Sequence, residues 1–284
     1  MPSQREIRRR IGSVGNIKQI TRAMQFVAAS KLRRAQEATL ASRPYSDKLD
    51  EVLADLAAVI DHEAHPLLAE EQEGPRLIVL FTSDRGMAGS LNTNTIRYAA
   101  QQISSASEEL QVVTVGRKGT AAMRRAHVPL AASFDGFGDR PAFADILPLA
   151  RLVSDDFLAG TYTKVHLLYP AFVSTLVQRP EMKRLLPVKP NPTAAEGIPG
   201  GQFIFEPGPT KVLEQLMPRY VATRLFQAVL ELTASEQSSR MVAMRNATDN
   251  AQELIDDLTL TYNKVRQSNI TREMIEIATG ASST

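Results

Sequence analysis

The feature that most restricts this chain is an uninterrupted run near its end. After Pro218 no strong helix breaker appears until about Ala278. A single helix of that length reaches roughly 90 Å at 1.5 Å rise per residue, far more than a domain of 284 residues needs. Its apolar positions run Met241, Met244, Ala247, Ala251, Leu254, Leu258, Thr261 or Tyr262, and Val265. The mean step is roughly 3.5, the period of a left-handed coiled coil. Ser235, Ser238 and Ser239 interrupt the apolar pattern just before it, so looser packing is expected at that level.

Such a helix needs a partner, and the other end of the chain supplies one. From about Ser3 to about Ile60, apolar or small residues recur at Ile7, Ile11, Val14, Ile17, Thr21, Met24 and Ala28, every step three or four. The stripe weakens after Leu32 and Ala35 and resumes at Leu49, Val52, Leu56 and Val59. Pro44 is expected to kink or break the helix. Neither long helix buries its stripe alone, and the simplest solution is an antiparallel pair.

Between them the texture changes. Arg76–Thr82 holds a continuous apolar run, as buried strands do, and 111–115 and 164–169 read as further strands, with 173–178 a candidate partner for the last. Helical stretches fall over 92–105, 118–126 and 143–158, Pro148 marking a kink in the last. Strands alternating with helices imply a mostly parallel, Rossmann-like sheet. The expected fold class is therefore α/β: a coiled coil of N- and C-terminal helices (1–60 and 208–284) around a central α/β domain (75–207). Loops are read around His65-Pro66 with the acidic stretch up to Gly74-Pro75, and over Pro187 to Gly201.

Chemistry is scarce. There are no cysteines, which excludes disulfides, thiolate metal sites and thiol nucleophiles. His62 and His65 lack a zinc-protease spacing and a third ligand, so no metal is expected. Asp155-Asp156 and Asp256-Asp257 are adjacent pairs that point about 100° apart on a helix, unlike an acid/base dyad. Ser83–Asn92 and Gly116–Thr120 follow strands and lead into helices, where α/β proteins bind phosphate, yet they match neither the dinucleotide fingerprint nor the Lys-bearing P-loop. Tight turns are favoured there, and no cofactor is expected. No apolar run spans a bilayer, and the start of the chain lacks the apolar core of a secretion signal. Net charge is +2, but ten Lys and Arg crowd residues 5–43, opposed there by Glu6 and Glu37. That face meets solvent, an acidic partner or phosphates. A nucleotide-using α/β protein and a nucleic-acid-binding hairpin thus stay open on the residues alone.

Specific strings narrow this. Gln19–Gln36 (QITRAMQFVAASKLRRAQ) resembles the N-terminal helix of F-type ATP synthase gamma subunits. Ala234–Ala251 (ASEQSSRMVAMRNATDNA) resembles that family's C-terminal signature, and Tyr262–Gln267 and Ile270–Glu273 continue it. The turn Ser83–Asn92 is similar to the family's first loop, with Met87, Ala88 and Ser90 in place of the more usual Leu, Cys and Gly. Gly12 and Gly15 also depart from the pattern, and the cysteine-bearing insertion of chloroplast relatives is absent.

The resemblance implies a non-catalytic rotor shaft. It would couple ion transport through a ring of c subunits to ATP synthesis on beta subunits, peripheral to the cytoplasmic face of a bacterial inner membrane. Partners implied are the alpha and beta subunits, the epsilon subunit and the c ring. Residues implied to face beta are Lys18, Met24, Lys31, Arg240, Arg266, Gln267, Thr271 and Glu273; those implied at the c ring and epsilon are Phe203, Phe205 and Glu206.

Overall fold

A computed structural model describes residues 3–59, 73–188 and 205–282. The readings at His62, His65, Phe203 and over most of the two loops lie outside these residues. The element order is α1 (Gln4–Val59), β1 (Arg76–Phe81), α2 (Leu91–Ser104), β2 (Leu110–Val115), α3 (Arg117–Arg125), β3 (Leu130–Phe134), α4 (Phe143–Leu158), β4 (Lys164–Phe172), β5 (Gln178–Leu186) and α5 (Pro209–Ser282).

The strands form one sheet in the order β3-β2-β1-β4-β5. All neighbours are parallel except β4 and β5. Two strands escaped the sequence pattern. β3 is the short, half-exposed Leu-Ala-Ala-Ser-Phe, with no β-branched residue and small residues in the middle. β5 is charged and carries Pro180, which suits an edge strand. The expected strand over 173–178 is instead mostly the turn joining β4 to β5. Both long helices also outlast their prolines: α1 runs through Pro44 and α5 through Pro218, and Pro148 lies inside α4. Pro44 sits exposed, beside an exposed Leu40, so solvent can take up the Leu40 carbonyl freed by the missing N–H.

The chain divides into two compact units, Ser30–Ser239 and the combination of Met1–Ala29 with Arg240–Thr284. In the first, the sheet is covered on both faces. One face packs Ile78, Leu80, Val112 and Leu168 with Ala99 of α2 and Met123 of α3. The other packs Leu77, Val79 and Phe81 with Ile146 and Val153 of α4, Leu53 and Leu56 of α1, and Leu213, Met217, Val221 and Leu225 of α5. The terminal helices thus form part of this core, and burying each such side chain contributes about 1.5–3 kcal/mol.

In the second unit α1 and α5 run antiparallel. Thr21 and Thr248 share a hydroxyl hydrogen bond of 2.8 Å, and the Lys18 ammonium donates to the side-chain carbonyl of Gln252. Ile7, Ala28, Met244 and Ala251 are buried along the seam. Its phase differs from the expected one at two places. Ile17 is half exposed while Lys18 turns inward, and Leu254 is half exposed while Ile255 is more covered. Three- and four-residue steps are interchangeable on a helix face, so pattern alone does not decide between neighbours.

Candidate functional site

Two surfaces carry the residues singled out by sequence. The first is the end of α5. Pairing of 18 with 252 and 21 with 248 brings the first turn of α1 opposite the stretch near Val265. Beyond it α5 continues to Ser282. Arg266, Gln267, Thr271 and Glu273 are all exposed there. Between and after them Ile270, Met274, Ile275 and Ile277 are also exposed, Ile277 at 72 %. Four large apolar side chains within eight positions is more than chance surface scatter, and marks a surface that fits a partner. Sequence reading missed this apolar tip, although its signal is visible: Ile-x-x-x-Met-Ile-x-Ile carries apolar residues beyond the last position α1 can cover.

The second surface is a groove between α1 and α5 of about 380 Å³, lined among others by Lys18, Arg22, Phe26, Arg245, Asp249 and Gln252. Gln252 passes the Lys18 hydrogen bond on to Asp256 at 2.8 Å. Met24 is half-buried beside this groove in sequence, while Phe26 and Val27 are exposed at 62 % and 54 %. An aromatic ring with basic neighbours on an open helix face suits an acidic, partly apolar partner.

Other expected residues lie elsewhere. Lys31 donates to Asp139 at 2.6 Å, so its charge is met within the chain. Arg240 is buried. Phe205 is half-buried against the core of the α/β unit, and Glu206 beside it is exposed.

The strand-to-helix turns bear on phosphate chemistry. A helix offers phosphate its unpaired first N–H groups. In α3 the chain uses these itself. Arg117 N–H donates to the Asp84 carboxylate at 3.0 Å, Lys118 N–H to the Ser83 carbonyl at 3.2 Å, Gly119 N–H to the Thr82 hydroxyl at 2.8 Å and Thr120 N–H to the Gly116 carbonyl at 3.3 Å. Asp84 also accepts from Gly136 N–H at 3.0 Å, tying the β3–α4 connection to the same point. A phosphate there would have to displace a carboxylate and a hydroxyl.

A further concavity of about 260 Å³ lies between β4, β5 and α5. Its cations are matched internally. Lys183 pairs with Glu181 at 3.2 Å and lies over the Tyr169 ring, while Arg224 pairs with Asp50 and lies over the Tyr220 ring. Burial pushes the Glu231 carboxyl above the usual carboxylate range, although Lys183 and a backbone hydrogen bond at Phe172 pull the other way. Among the described residues no group of three or more His, Asp or Glu could hold a metal ion, and no helix is long and apolar enough to cross a membrane.

A family model described as ATP synthase matches residues 3–284. The chain is 50 % identical over 287 residues to the ATP synthase gamma chain of Roseiflexus sp. (strain RS-1), covering 99 % of this chain and 98 % of that one. It is 46 % identical over 285 residues to that of Dehalococcoides mccartyi (strain ATCC BAA-2100 / JCM 16839 / KCTC 5957 / BAV1), covering 99 % of each. Among solved structures, a chain of the central stalk and c ring of Tetrahymena thermophila mitochondrial ATP synthase aligns at TM-score 0.62 and 25 % identity, over 80 % of this chain and 99 % of that one. A chain of the Euglena gracilis mitochondrial enzyme has the same fold, at TM-score 0.69 and 21 % identity over 99 % and 94 %.

Proposed function

We propose, because this chain belongs to the ATP synthase gamma-chain family, that the exposed end of α5 and the groove beside Lys18 are where it touches the catalytic subunits. The family's members are the central stalk that rotates with the c ring. They are not catalytic: nucleotide chemistry belongs to the beta subunits. The task of this chain is mechanical. A shaft changes nucleotide affinity at a distant site only if it contacts the open and closed forms of beta differently.

The observation that carries this reading is the tip of α5, where Arg266, Gln267, Thr271 and Glu273 stand exposed among exposed apolar residues past the reach of α1. Polar groups there form and release hydrogen bonds to beta as the shaft turns. The apolar ones seat the tip in the surrounding ring of alpha and beta. Lys18 and Met24 face beta lower down the pair; Lys31, which also donates to Asp139, and Arg240 belong to the same set of contacts. Residues 1–60 and 208–284 make the shaft. The domain over 75–207, with Phe203, Phe205 and Glu206, makes the foot on the c ring and epsilon. The chain itself reaches the cytoplasmic face of the membrane only as part of the complex.

Reconstitution with alpha and beta subunits tests this. ATPase assembly is expected to require the chain, and Arg266→Ala is expected to weaken coupling while leaving the α/β unit folded. Normal coupling in that variant would remove the contact assignment.

A further inference from the structure

Just before the paired region, α5 carries four polar residues that hydrogen-bond away from their own helix. Ser235 donates to the Pro170 carbonyl of β4 at 2.8 Å. Ser238 donates to the Thr175 carbonyl in the β4–β5 turn at 2.6 Å. Ser239 donates to the Ala88 carbonyl in the β1–α2 connection at 2.6 Å. Gln237 donates to Asp139 in the β3–α4 connection at 3.0 Å, and the other Asp139 oxygen accepts from Lys31 of α1 at 2.6 Å. Hydroxyls inside helices ordinarily bond back to their own preceding turn. Thr233, two residues earlier, does so, donating to the Val229 carbonyl at 2.8 Å.

The expected looseness at these serines is therefore replaced by a joint. Ser235, Gln237 and Ser238 are all at most 1 % exposed. At about 100° per residue the three serines share an arc of about 100°, and Gln237 projects from the far side. The helix is held on both sides, by four separate segments of the α/β unit. Apolar contact is non-directional. Hydrogen bonds tolerate little angular change, and in a buried joint no water replaces a broken one. Turning α5 about its axis against this unit must break several together.

We propose that Ser235, Gln237, Ser238 and Ser239, with Asp139 and Lys31, form a torsional clamp that fastens the α/β unit to α5, so that torque passes between them without slip. This rests on the rotor reading above.

The test uses the whole complex in sealed vesicles, with ATP hydrolysis and an ATP-driven membrane potential measured together. The triple variant Ser235→Ala, Ser238→Ala and Ser239→Ala keeps helix-forming residues in α5 and removes three of the outward bonds. Asp139→Ala releases Gln237 and Lys31 without altering α5. Hydrolysis is expected to persist in both, while the potential generated per ATP falls by roughly half or more. A merely less stable chain would lower both readouts in proportion and leave their ratio unchanged. An unchanged ratio in both variants overturns the clamp. If the triple variant fails to assemble, Asp139→Ala decides by the same ratio. A complex with the unsubstituted chain that hydrolyses ATP but generates no potential would remove the rotor reading itself.

Discussion

Two glycines with left-handed backbone allow the steric part of one turn to be measured apart from its conformational part. Gly116, joining β2 to α3, has φ 97°, and Gly136, in the β3–α4 connection, has φ 86°. A Cβ at Gly136 would meet nothing within 4 Å, whereas one at Gly116 would lie 1.9 Å from the Thr82 carbonyl oxygen. Gly136→Ala therefore costs the left-handed penalty alone, about 1–2 kcal/mol. Gly116→Ala costs at least that, since φ 97° with ψ 139° lies outside the left-handed helical region, and, in addition, the displacement of backbone at the end of β1, about 1–3 kcal/mol more by analogy with overpacked cores. No rotamer change can relieve it, because the obstacle is a main-chain oxygen. The Gly116 site also holds the hydrogen bond from its own N–H to the Phe134 carbonyl at 2.8 Å, so movement there loosens β3 as well. For a unit of this size each kcal/mol shifts Tm by about 2–4 °C. Thermal unfolding of the two variants by circular dichroism is expected to place Gly116→Ala about 2–12 °C below Gly136→Ala. Equal Tm values would refute the close approach of β1 to the β2–α3 turn.

Three further outcomes follow from the packing. Leu56→Ala, at a fully buried position of α1, is expected to cost about 2–5 kcal/mol in denaturant unfolding; a loss under 1 kcal/mol, about that of an exposed site, would mean that α1 is not part of the α/β core. A double-mutant cycle on Thr21→Ala and Thr248→Ala is expected to give a coupling of about 0.5–1.5 kcal/mol, and strict additivity would contradict the antiparallel register. Glu231 binds its proton more tightly folded than unfolded because it is buried. Below the ordinary carboxylate pKa both states are protonated and burial costs nothing through this group; as pH rises through the unfolded and then the folded pKa the folded state loses stability. The Tm of Glu231→Gln relative to the unsubstituted chain is therefore expected to rise from pH 4 to pH 7, and a difference that falls over this range would reverse the assignment.

The long helices were legible because a breaker-free periodic run leaves few alternatives, and the strands β1, β2 and β4 because their apolar runs are buried on both faces. β3 and β5 were not, since an edge strand keeps one side in solvent and needs no apolar run. The exchange of Ile17 for Lys18 on the seam reflects a lysine whose stem can lie along apolar surface while its ammonium reaches Gln252. Serines at 235, 238 and 239 read as gaps in a stripe because the carbonyls they meet belong to segments more than sixty residues away. Of the candidate contact residues, those at the tip of α5 could be singled out only by resemblance. An exposed arginine on a helix looks the same with or without a partner.

A chain that turns as a shaft inside the assembled enzyme carries a rigidly attached marker round with it. With no native cysteine in the chain, a single Leu158→Cys at the exposed end of α4 can carry a visible marker while the alpha and beta ring is fixed to a surface. Supplying ATP is predicted to drive the marker round in one direction, in step with hydrolysis. A marker that stays still while the same complexes hydrolyse ATP would show that the chain does not turn as a shaft.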